Sequence, residues 1–318
     1  MVYINPGVTR LDTVQPDAQP VAGAQSTFAL PVGSTYDQIC LLLTGAGGVA
    51  LTRAQILADI ARIVLEVDGR PKWDVTPLFL DYINDFYAGA LNGNGAGTTA
   101  PGNNGILPLF FAQHWRNKVS QTVRDAKGAD QSLPAFSEVD GPAYGTLDVN
   151  TFTLRITWGA GPLTATRILA YASTRPGTKL GSHVTLLPLN RNFAGAGTDI
   201  ISSEIPGRNG AGYVGQCALH IGDGALLTDV EVLLDRAPFL RLPRAVMVQL
   251  QQMLGQRTIN ANFTTIDWGI RNRLSDVLPE MWENEEVRLL FGAPGPGPYT
   301  IILERLELQE VQAVQKTR

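Results

Sequence analysis

The three histidines are the residues of this sequence best suited to hold a metal ion, but their spacing argues against a metal site. His114, His183 and His220 lie far apart, without an HxH or HExxH pattern. A catalytic zinc site in a duplicated β-barrel requires imidazoles that converge at the mouth of one barrel. We therefore assign His220, in a predicted strand, and His114, next to Trp115, to ordinary packing or to the surface.

Two glycine-rich stretches invite comparison with phosphate-binding loops. Residues 44–48 (TGAGG) and 207–212 (GRNGAG) lack the lysine and the hydroxyl residue that hold phosphates and magnesium in a P-loop. Neither stretch opens a helix after a central parallel strand, so we predict turns at both. A GxSxG nucleophile elbow is also missing from the sequence.

Carboxylates and aromatic rings are the remaining candidates for a site. One acidic cluster lacks the spacing of a calcium loop and is predicted to be a solvated face: Glu280, Glu283, Glu285 and Glu286. Five tryptophans could stack on sugars, but four of them lie in or beside predicted strands or repeat blocks, which favours core packing: Trp73, Trp115, Trp158, Trp268 and Trp282. We predict no catalytic, metal-binding or cofactor-binding residue and no cofactor.

The two cysteines, Cys40 and Cys217, have no second cysteine within CxxC range. Two small buried side chains are the favoured interpretation, and a disulfide is the alternative. Free thiols indicate folding in a reducing compartment.

Composition limits the classes of protein that remain. The 318 residues are 44% hydrophobic and 17% charged, with 33 glycines and 20 prolines, which is typical of a folded chain with many turns. The net charge of −4 argues against a surface that neutralises phosphates, so we predict no direct sequence-specific binding of nucleic acid. Apolar runs such as Ile39–Leu43 are far shorter than a membrane span, and Met1–Pro6 does not resemble a secretory signal.

The elements that must position these residues occur twice. In the first copy, Ile63, Leu65 and Val67 alternate with outward residues, as in a half-buried strand. The hairpin turn Asp68-Gly69 follows, and Thr76-Pro77 then begins a helix. The apolar stripe of this helix consists of Phe79, Tyr82, Ile83 and Phe86.

The same design returns 167 residues further along the chain. Its strand contains Val230, Val232 and Leu234, and its helix contains Val246, Leu250 and Met253, with Gly255 as a predicted stop. Asp235-Arg236 stands in place of Asp-Gly, which predicts a different type of turn.

Three further blocks match in the same order, which favours a duplication. The first pairs Tyr36, Cys40, Leu42 and Gly45 with Tyr213, Cys217, Leu219 and Gly222. The second pairs Arg116–Ser120 with Arg271–Ser275, and the third pairs Phe152, Leu154 and Ile156 with Tyr299, Ile301 and Leu303. Because the cysteines occupy equivalent positions, two separate sites are favoured over one bridge.

The predicted fold class is all-β, with two tandem jelly-roll domains (antiparallel β-sandwiches), each with a short inserted helix. We place an extended N-terminal arm at residues 1–25, the first jelly roll at 26–160, the second with its linker at 161–305, and a polar tail at 306–318. A glycine- and asparagine-rich loop follows the first helix, and its candidate exposed residues are Asn92, Asn94, Asn103 and Asn104.

The tandem duplication, the interposed loop and the segments IARIVLEVDGRPKWDVTPLFLDYINDF and LTDVEVLLDRAPFLRLPRAVMVQLQQML suggest a family. The sequence resembles the major capsid proteins of tailless, membrane-containing icosahedral phages, the corticovirus- and tectivirus-like double jelly-roll lineage. The resemblance covers most of the chain and is architectural, without a diagnostic short motif.

The resemblance implies a structural virion protein, not an enzyme, that forms a homotrimeric, pseudo-hexagonal capsomer of an icosahedral shell. It implies neighbouring capsomers, penton proteins and minor capsid proteins as partners, a place in the virion capsid, and synthesis in the host cytoplasm. An internal viral membrane as a partner rests on the resemblance alone. Two alternatives stay open: a tandem jelly-roll carbohydrate-binding protein or hydrolase, and a minor capsid or spike protein.

Overall fold

The computed structural model describes residues 10–13, 18–88, 105–113, 115, 122–124, 130–132, 142–202, 213–224, 226–271, 277–279 and 284–308. The predicted loop residues Asn92, Asn94, Asn103 and Asn104 lie outside these ranges, as do His114 and the matched block Arg116–Ser120.

The first half of the chain folds into two facing antiparallel sheets. The first sheet contains, in spatial order, β1 (Arg10–Thr13), β11 (Arg167–Pro176), β3 (Ser34–Thr44) and β6 (Ile106–Phe110), with the short β9 (Tyr144–Gly145) also paired to β3. The second sheet contains β2 (Gln25–Leu30), β10 (Phe152–Trp158), β4 (Ile60–Val67) and β5 (Arg70–Val75). A separate hairpin joins β7 (Thr122–Arg124) to β8 (Asp130–Ser132).

The second half repeats this order strand by strand. Its first sheet contains β12 (Ser182–Phe193), β20 (Gly297–Leu308), β14 (Tyr213–Ile221) and β17 (Thr264–Asp267), with β18 (Leu278–Pro279) also paired to β14. Its second sheet contains β13 (Gly197–Ile201), β19 (Glu285–Phe291), β15 (Leu227–Leu234) and β16 (Ala237–Pro243). The two predicted jelly rolls are therefore confirmed.

Both predicted helices are present at equivalent positions. Helix α2 (Pro77–Ala88) follows β5, and helix α3 (Arg244–Gly255) follows β16, so their bounds differ by the same 167 residues. The Thr76 hydroxyl accepts a hydrogen bond from the backbone amide of Phe79, at 3.4 Å, as expected of an N-cap. A further helix, α1 (Arg53–Asp59), starts at a capping box in which Thr52 and Gln55 bond each other.

One matched block of the repeat is wrong. Phe152 lies in β10, which pairs with β2 and β4, whereas Tyr299 lies in β20, which pairs with β12 and β14. The counterpart of β10 is β19, which lies between β13 and β15. Because consecutive half-buried strands share the same alternation of apolar residues, the pattern alone does not separate them.

The strands that carry the cysteines, β3 and β14, are counterparts, as predicted. Neither cysteine forms a disulfide, Cys217 is buried, and Cys40 is only half-buried. A β-bulge at Cys217 shifts the register of β14, so Leu219 faces the core of the second roll whereas Leu42 points away from the core of the first. The predicted residue match of Leu42 with Leu219 is therefore wrong.

The two hairpin turns adopt the same conformation, contrary to the prediction that they differ. Asp68 and Gly69 have φ values of 49° and 73°, and Asp235 and Arg236 have values of 48° and 68°. Both turns thus have two left-handed residues, the requirement of a type I′ turn. The aspartates help to fix this conformation, since Oδ1 of Asp235 accepts from the amide of Asn284 at 2.9 Å and Oδ1 of Asp68 makes equivalent bonds.

Strand pairing also bears on the domain limits. β11 is hydrogen-bonded to β3 and β1, although the predicted limits assign residues from 161 onward to the second roll. β20 continues to Leu308, beyond the predicted start of the tail, and β1 lies within the predicted arm. We propose that the boundary between the rolls follows Pro176.

Two hydrophobic cores result. One fills the second roll between its two sheets and includes Val232, Leu289 and Ile301. The other fills the first roll and extends past it, because it includes Cys217, Phe263 and Ile302 of the second half. The two rolls therefore share a continuous apolar contact.

Candidate functional site: the seam between the two jelly rolls

The seam is the surface where β5 and α2 of the first roll contact β12, β14, β17 and β20 of the second. Its backbone centre is the parallel contact of Trp73 in β5 with Leu186 in β12. Trp73 Nε1 donates to the carbonyl of Val184 at 2.9 Å, and the hydroxyl of Tyr144 donates to the same carbonyl. These contacts join one sheet of each roll into a single nine-stranded sheet.

Helix α2 covers the outer face of the second roll with aromatic rings. Tyr82 stacks on Phe263 with ring centroids 4.2 Å apart, and Phe79 meets Phe263 edge to face at 5.0 Å. A side chain at Gly222 would lie 3.0 Å from the ring of Phe79, so the glycine permits this close approach. The helix sequence LFLDYINDFYA has apolar residues on more than one face, which is typical of a helix buried on two sides.

A polar network lies beneath these rings, with Glu304 of β20 at its centre. The Glu304 carboxylate accepts from Tyr87 Oη at 2.7 Å, from His220 Nε2 at 2.9 Å and from Gln113 Nε2 at 3.1 Å. Tyr87 and Gln113 belong to the first roll, whereas His220 and Glu304 belong to the second. A buried carboxylate is costly unless it is hydrogen-bonded, so this group favours the docked arrangement of the rolls.

The network continues from His220 to Thr265 and Tyr82. His220 Nδ1 lies 2.9 Å from Thr265 Oγ1, which lies 2.6 Å from Tyr82 Oη. These bonds are all satisfied when Tyr82 donates to Thr265, Thr265 donates to Nδ1, and Nε2 of His220 carries the proton given to Glu304. Burial raises the pKa of Tyr82, which keeps its hydroxyl a donor.

Two cations complete the seam. The guanidinium of Arg257 lies over the ring of Tyr87, 4.7 Å from its centroid, and its Nε bonds Asp267 at 2.9 Å. At the other end, Lys72 Nζ bonds Glu307 at 2.6 Å, across the two rolls. Near this pair, burial lowers the pKa of His183 to about 4, so the ring is neutral at pH 7.

The structure places the predicted site candidates in structural roles. His220 and His183 are buried in the seam. Glu285 departs from the predicted solvated face: it points into the second roll, and burial raises its pKa to about 7, partly offset by Arg305. Glu286 bonds Arg288, whereas Glu280 and Glu283 lie outside the described residues.

The tryptophans and glycines follow the core and turn predictions where they are described. Trp73 and Trp158 are buried, and Trp115 and Trp268 pack against the two cores. Residues 46–48 form a 3₁₀ turn, with Gly47 and Gly48 at positive φ. Residues 207–212 and Trp282 lie outside the described ranges.

Sequence reasoning missed the seam network. Its polar residues are spread over both halves, from Tyr87 to Glu304, and each alone fits an ordinary strand or helix position. The available signal was the nearly continuous apolar run of the strand YTIILERL, in which Glu304 shares a face with Ile302 and Leu306, because such a run indicates a strand that is covered on both faces.

Within the described part of the chain, no group of three or more His, Cys, Asp or Glu side chains is placed to hold a metal ion. Among the same residues, no helix has the length and apolar character to cross a bilayer.

Comparison with known proteins identifies relatives of this architecture. The family model of the viral coat protein P2 N-terminal domain matches residues 14–175. The major capsid protein P2 of bacteriophage PM2 superposes with a TM-score of 0.72 at 18% identity, over 96% of this chain and 99% of that one. No curated protein sequence matches.

Two proteins of other viruses share the fold at lower identity. The major capsid protein of Sulfolobus turreted icosahedral virus gives a TM-score of 0.61 at 12% identity, over 98% of this chain and 100% of that one. VP54 of the virus PBCV-1 gives 0.56 at 9% identity, over 96% of this chain and 95% of that one.

Proposed function

Because the chain belongs to the viral coat protein P2 family, we propose that it assembles as a homotrimeric capsomer with a pseudo-hexagonal outline in an icosahedral shell. The chain is a viral major capsid protein, and its place is the virion capsid.

The observation that carries the trimer proposal is the side-by-side docking of two jelly rolls with the same strand order. Three such chains supply six similar rolls, so a threefold ring presents a nearly sixfold outline to its neighbours. Hexagonal units can cover most of a closed shell, because each unit contacts identical units along its sides. Neighbouring capsomers are then the main partners, with penton and minor capsid proteins at special positions.

The trimer is tested by light scattering on the purified native protein, followed by negative-stain images. We expect a mass three times that of the 34.2 kDa chain and particles with six lobes. A protein that stays monomeric at high concentration would contradict the capsomer model and favour a tandem jelly-roll hydrolase or lectin.

We further propose that the chain has no catalytic role. Polar side chains converge in the seam, but there they are buried and bond each other, as in the bonds of Glu304 to Tyr87 and His220. A hydrolase screen and a glycan array test this proposal, and reproducible turnover or sugar binding would contradict it.

We also propose that the chain is made in the host cytoplasm and that its capsomers contact an internal viral membrane. Two cysteines that form no disulfide suit folding in the host cytoplasm before assembly. An internal viral membrane as a partner is tested by flotation of the purified capsomer with vesicles of phage lipid composition.

A further inference from the structure

Helices α2 and α3 have the same relation to their own rolls. In α2, Leu80 and Asn84 face the first roll, and Asn84 Nδ2 donates to the carbonyl of Pro108 in β6 at 2.9 Å. The counterparts 167 residues later, Met247 and Gln251, face the second roll, and Gln251 donates to a carbonyl of β17, the counterpart of β6. The two helices are therefore oriented alike.

The outward sides of the two helices differ in what covers them. On α2, Phe79, Phe86 and Tyr87 are 7%, 1% and 3% exposed, because the second roll lies on them. Their counterparts on α3 are Val246, Met253 and Leu254, which are 41%, 69% and 55% exposed. The chain thus presents to solvent an apolar surface whose equivalent is buried.

The edge strands show the same difference. In the first roll, β5 pairs on one side with β4 and on the other with β12. Its counterpart β16 pairs with β15, and no other described strand flanks it. The counterpart of β12 is β1, which lies at the free edge of its own sheet among the described strands. Each chain therefore has two further surfaces that are equivalent to the two sides of the seam. One is formed by β16 and α3 of the second roll, and the other lies at β1 of the first roll.

Within the chain, α2 lies on the outer face of the sheet β12-β20-β14-β17 of the second roll. The equivalent surface of the first roll is the outer face of the sheet β1-β11-β3-β6. Its outward side chains include the half-buried Cys40, Leu42, Ile106, Leu169 and Tyr171. We name it the receiving face.

Polarity matches on the two sides of the inferred contact. Ile221 of β14 and Leu43 of β3 each face the core of their own roll, so the two strands can be aligned at these residues. Leu42 then occupies the position of His220. The pairing of β3 with β11 and of β14 with β20 in turn places Tyr171 at the position of Glu304. The helix changes in parallel, since Leu254 on α3 replaces Tyr87, the donor to Glu304. The polar contact within the chain thus has a largely apolar counterpart.

We propose that Val246, Met253 and Leu254 of α3 dock on the receiving face of a second copy of this chain. This contact reproduces between chains the contact that α2 makes within one chain, and it rests on the proposed capsomer. Each copy carries one α3 surface and one receiving face, so the interface joins two different surfaces and is heterologous. In the proposed trimer, three such contacts close a ring.

The first test uses two variants and a control. Met253→Asp with Leu254→Asp places charge on α3, Leu42→Glu places charge on the receiving face, and Leu147→Asp changes an exposed apolar residue of the first roll that lies elsewhere. We expect the first two proteins to be monomers with wild-type circular dichroism and the control to be a trimer. An equimolar mixture of the two monomers retains one intact pair of surfaces and should give a complex of two chains.

Cys40 gives a second readout that needs no change on the receiving face. Its half-buried thiol should react with a maleimide many-fold more slowly in the wild-type trimer than in the monomeric α3 variant, whereas buried Cys217 stays protected in both. Trimers that persist in the α3 variant, with Cys40 equally reactive in both proteins, would overturn the docking and leave the capsomer proposal standing. A wild-type chain that stays monomeric would overturn both.

Discussion

Glu304 receives hydrogen bonds from side chains of both jelly rolls, so single atoms in the seam affect the docking of two domains. Tyr87→Phe removes one donor to this buried carboxylate. Hydrogen bonds to charged groups contribute about 1.5–3 kcal/mol, so we expect the free energy of unfolding to fall by about that amount. Urea unfolding measures it. Tyr171→Phe, on the half-buried outer face, is the control, and an equal loss in both variants would contradict a special role for Tyr87.

Arg236 is the second residue whose effect can be isolated. It holds φ at 68° where its counterpart in the first hairpin is Gly69 at 73°. Glycine adopts this conformation without a Cβ penalty but has more freedom in the unfolded chain, so Arg236→Gly should stabilise the protein by about 0.5–1 kcal/mol. The reciprocal Gly69→Arg should destabilise it. Thermal unfolding of the two variants measures both effects, and the same sign for both would refute the argument.

His183 gives the seam a dependence on pH. Burial lowers its pKa from the ordinary 6.5 to about 4, so the unfolded chain binds the proton more tightly than the folded one. The contribution of the neutral His183 ring to the free energy of unfolding is fully present above pH 6.5. It decreases by up to about 3 kcal/mol as the pH falls toward 4.

The measurement is the difference in unfolding free energy between wild type and His183→Gln across this range, which should shift toward the variant as the pH falls. The difference is needed because Glu285, with its raised pKa, favours folding at low pH and opposes the trend in the wild-type curve. A difference that is constant from pH 7 to 4 would contradict the assignment.

At the scale of elements, α2 and α3 share position and length but not surroundings. Phe86→Ala in α2 removes a ring buried between the rolls, and such truncations cost about 3–5 kcal/mol. The matched Met253→Ala in α3 removes a side chain that is mostly in solvent within one chain, so we expect a change within about 0.5 kcal/mol. Denaturant unfolding at concentrations that keep the chain monomeric measures both. Equal losses would show that α3 is covered within its own chain.

These helices also show which features of the structure the sequence alone predicts. The apolar stripes predict where α2 and α3 lie, together with the Thr76 N-cap of α2, because local spacing determines them. The stripe does not tell which helix is covered, because Phe86 and Met253 occupy the same position and only the neighbouring roll distinguishes them. The network around Glu304 was missed for the same reason, since its members meet only after both rolls dock.

At the scale of the whole molecule, the continuous core and the nine-stranded sheet couple the two rolls. We expect a single cooperative thermal transition in differential scanning calorimetry of the monomeric chain. Tyr82→Ala with Phe86→Ala removes two of the rings of α2 that fill the seam, and it should divide the transition into two. Two transitions in the wild-type chain would contradict this coupling.

The link between β5 and β12 also has a mechanical consequence. Since β5 pairs with β12 at Trp73 and Leu186 and the two rolls share an apolar core, a load across the chain passes through packed sheets, not through a flexible linker. In the proposed shell, the bending needed to close a rounded surface must then occur at the contacts between capsomers. The same rigid capsomer can therefore form shells of different curvature when only the angles between neighbouring capsomers change.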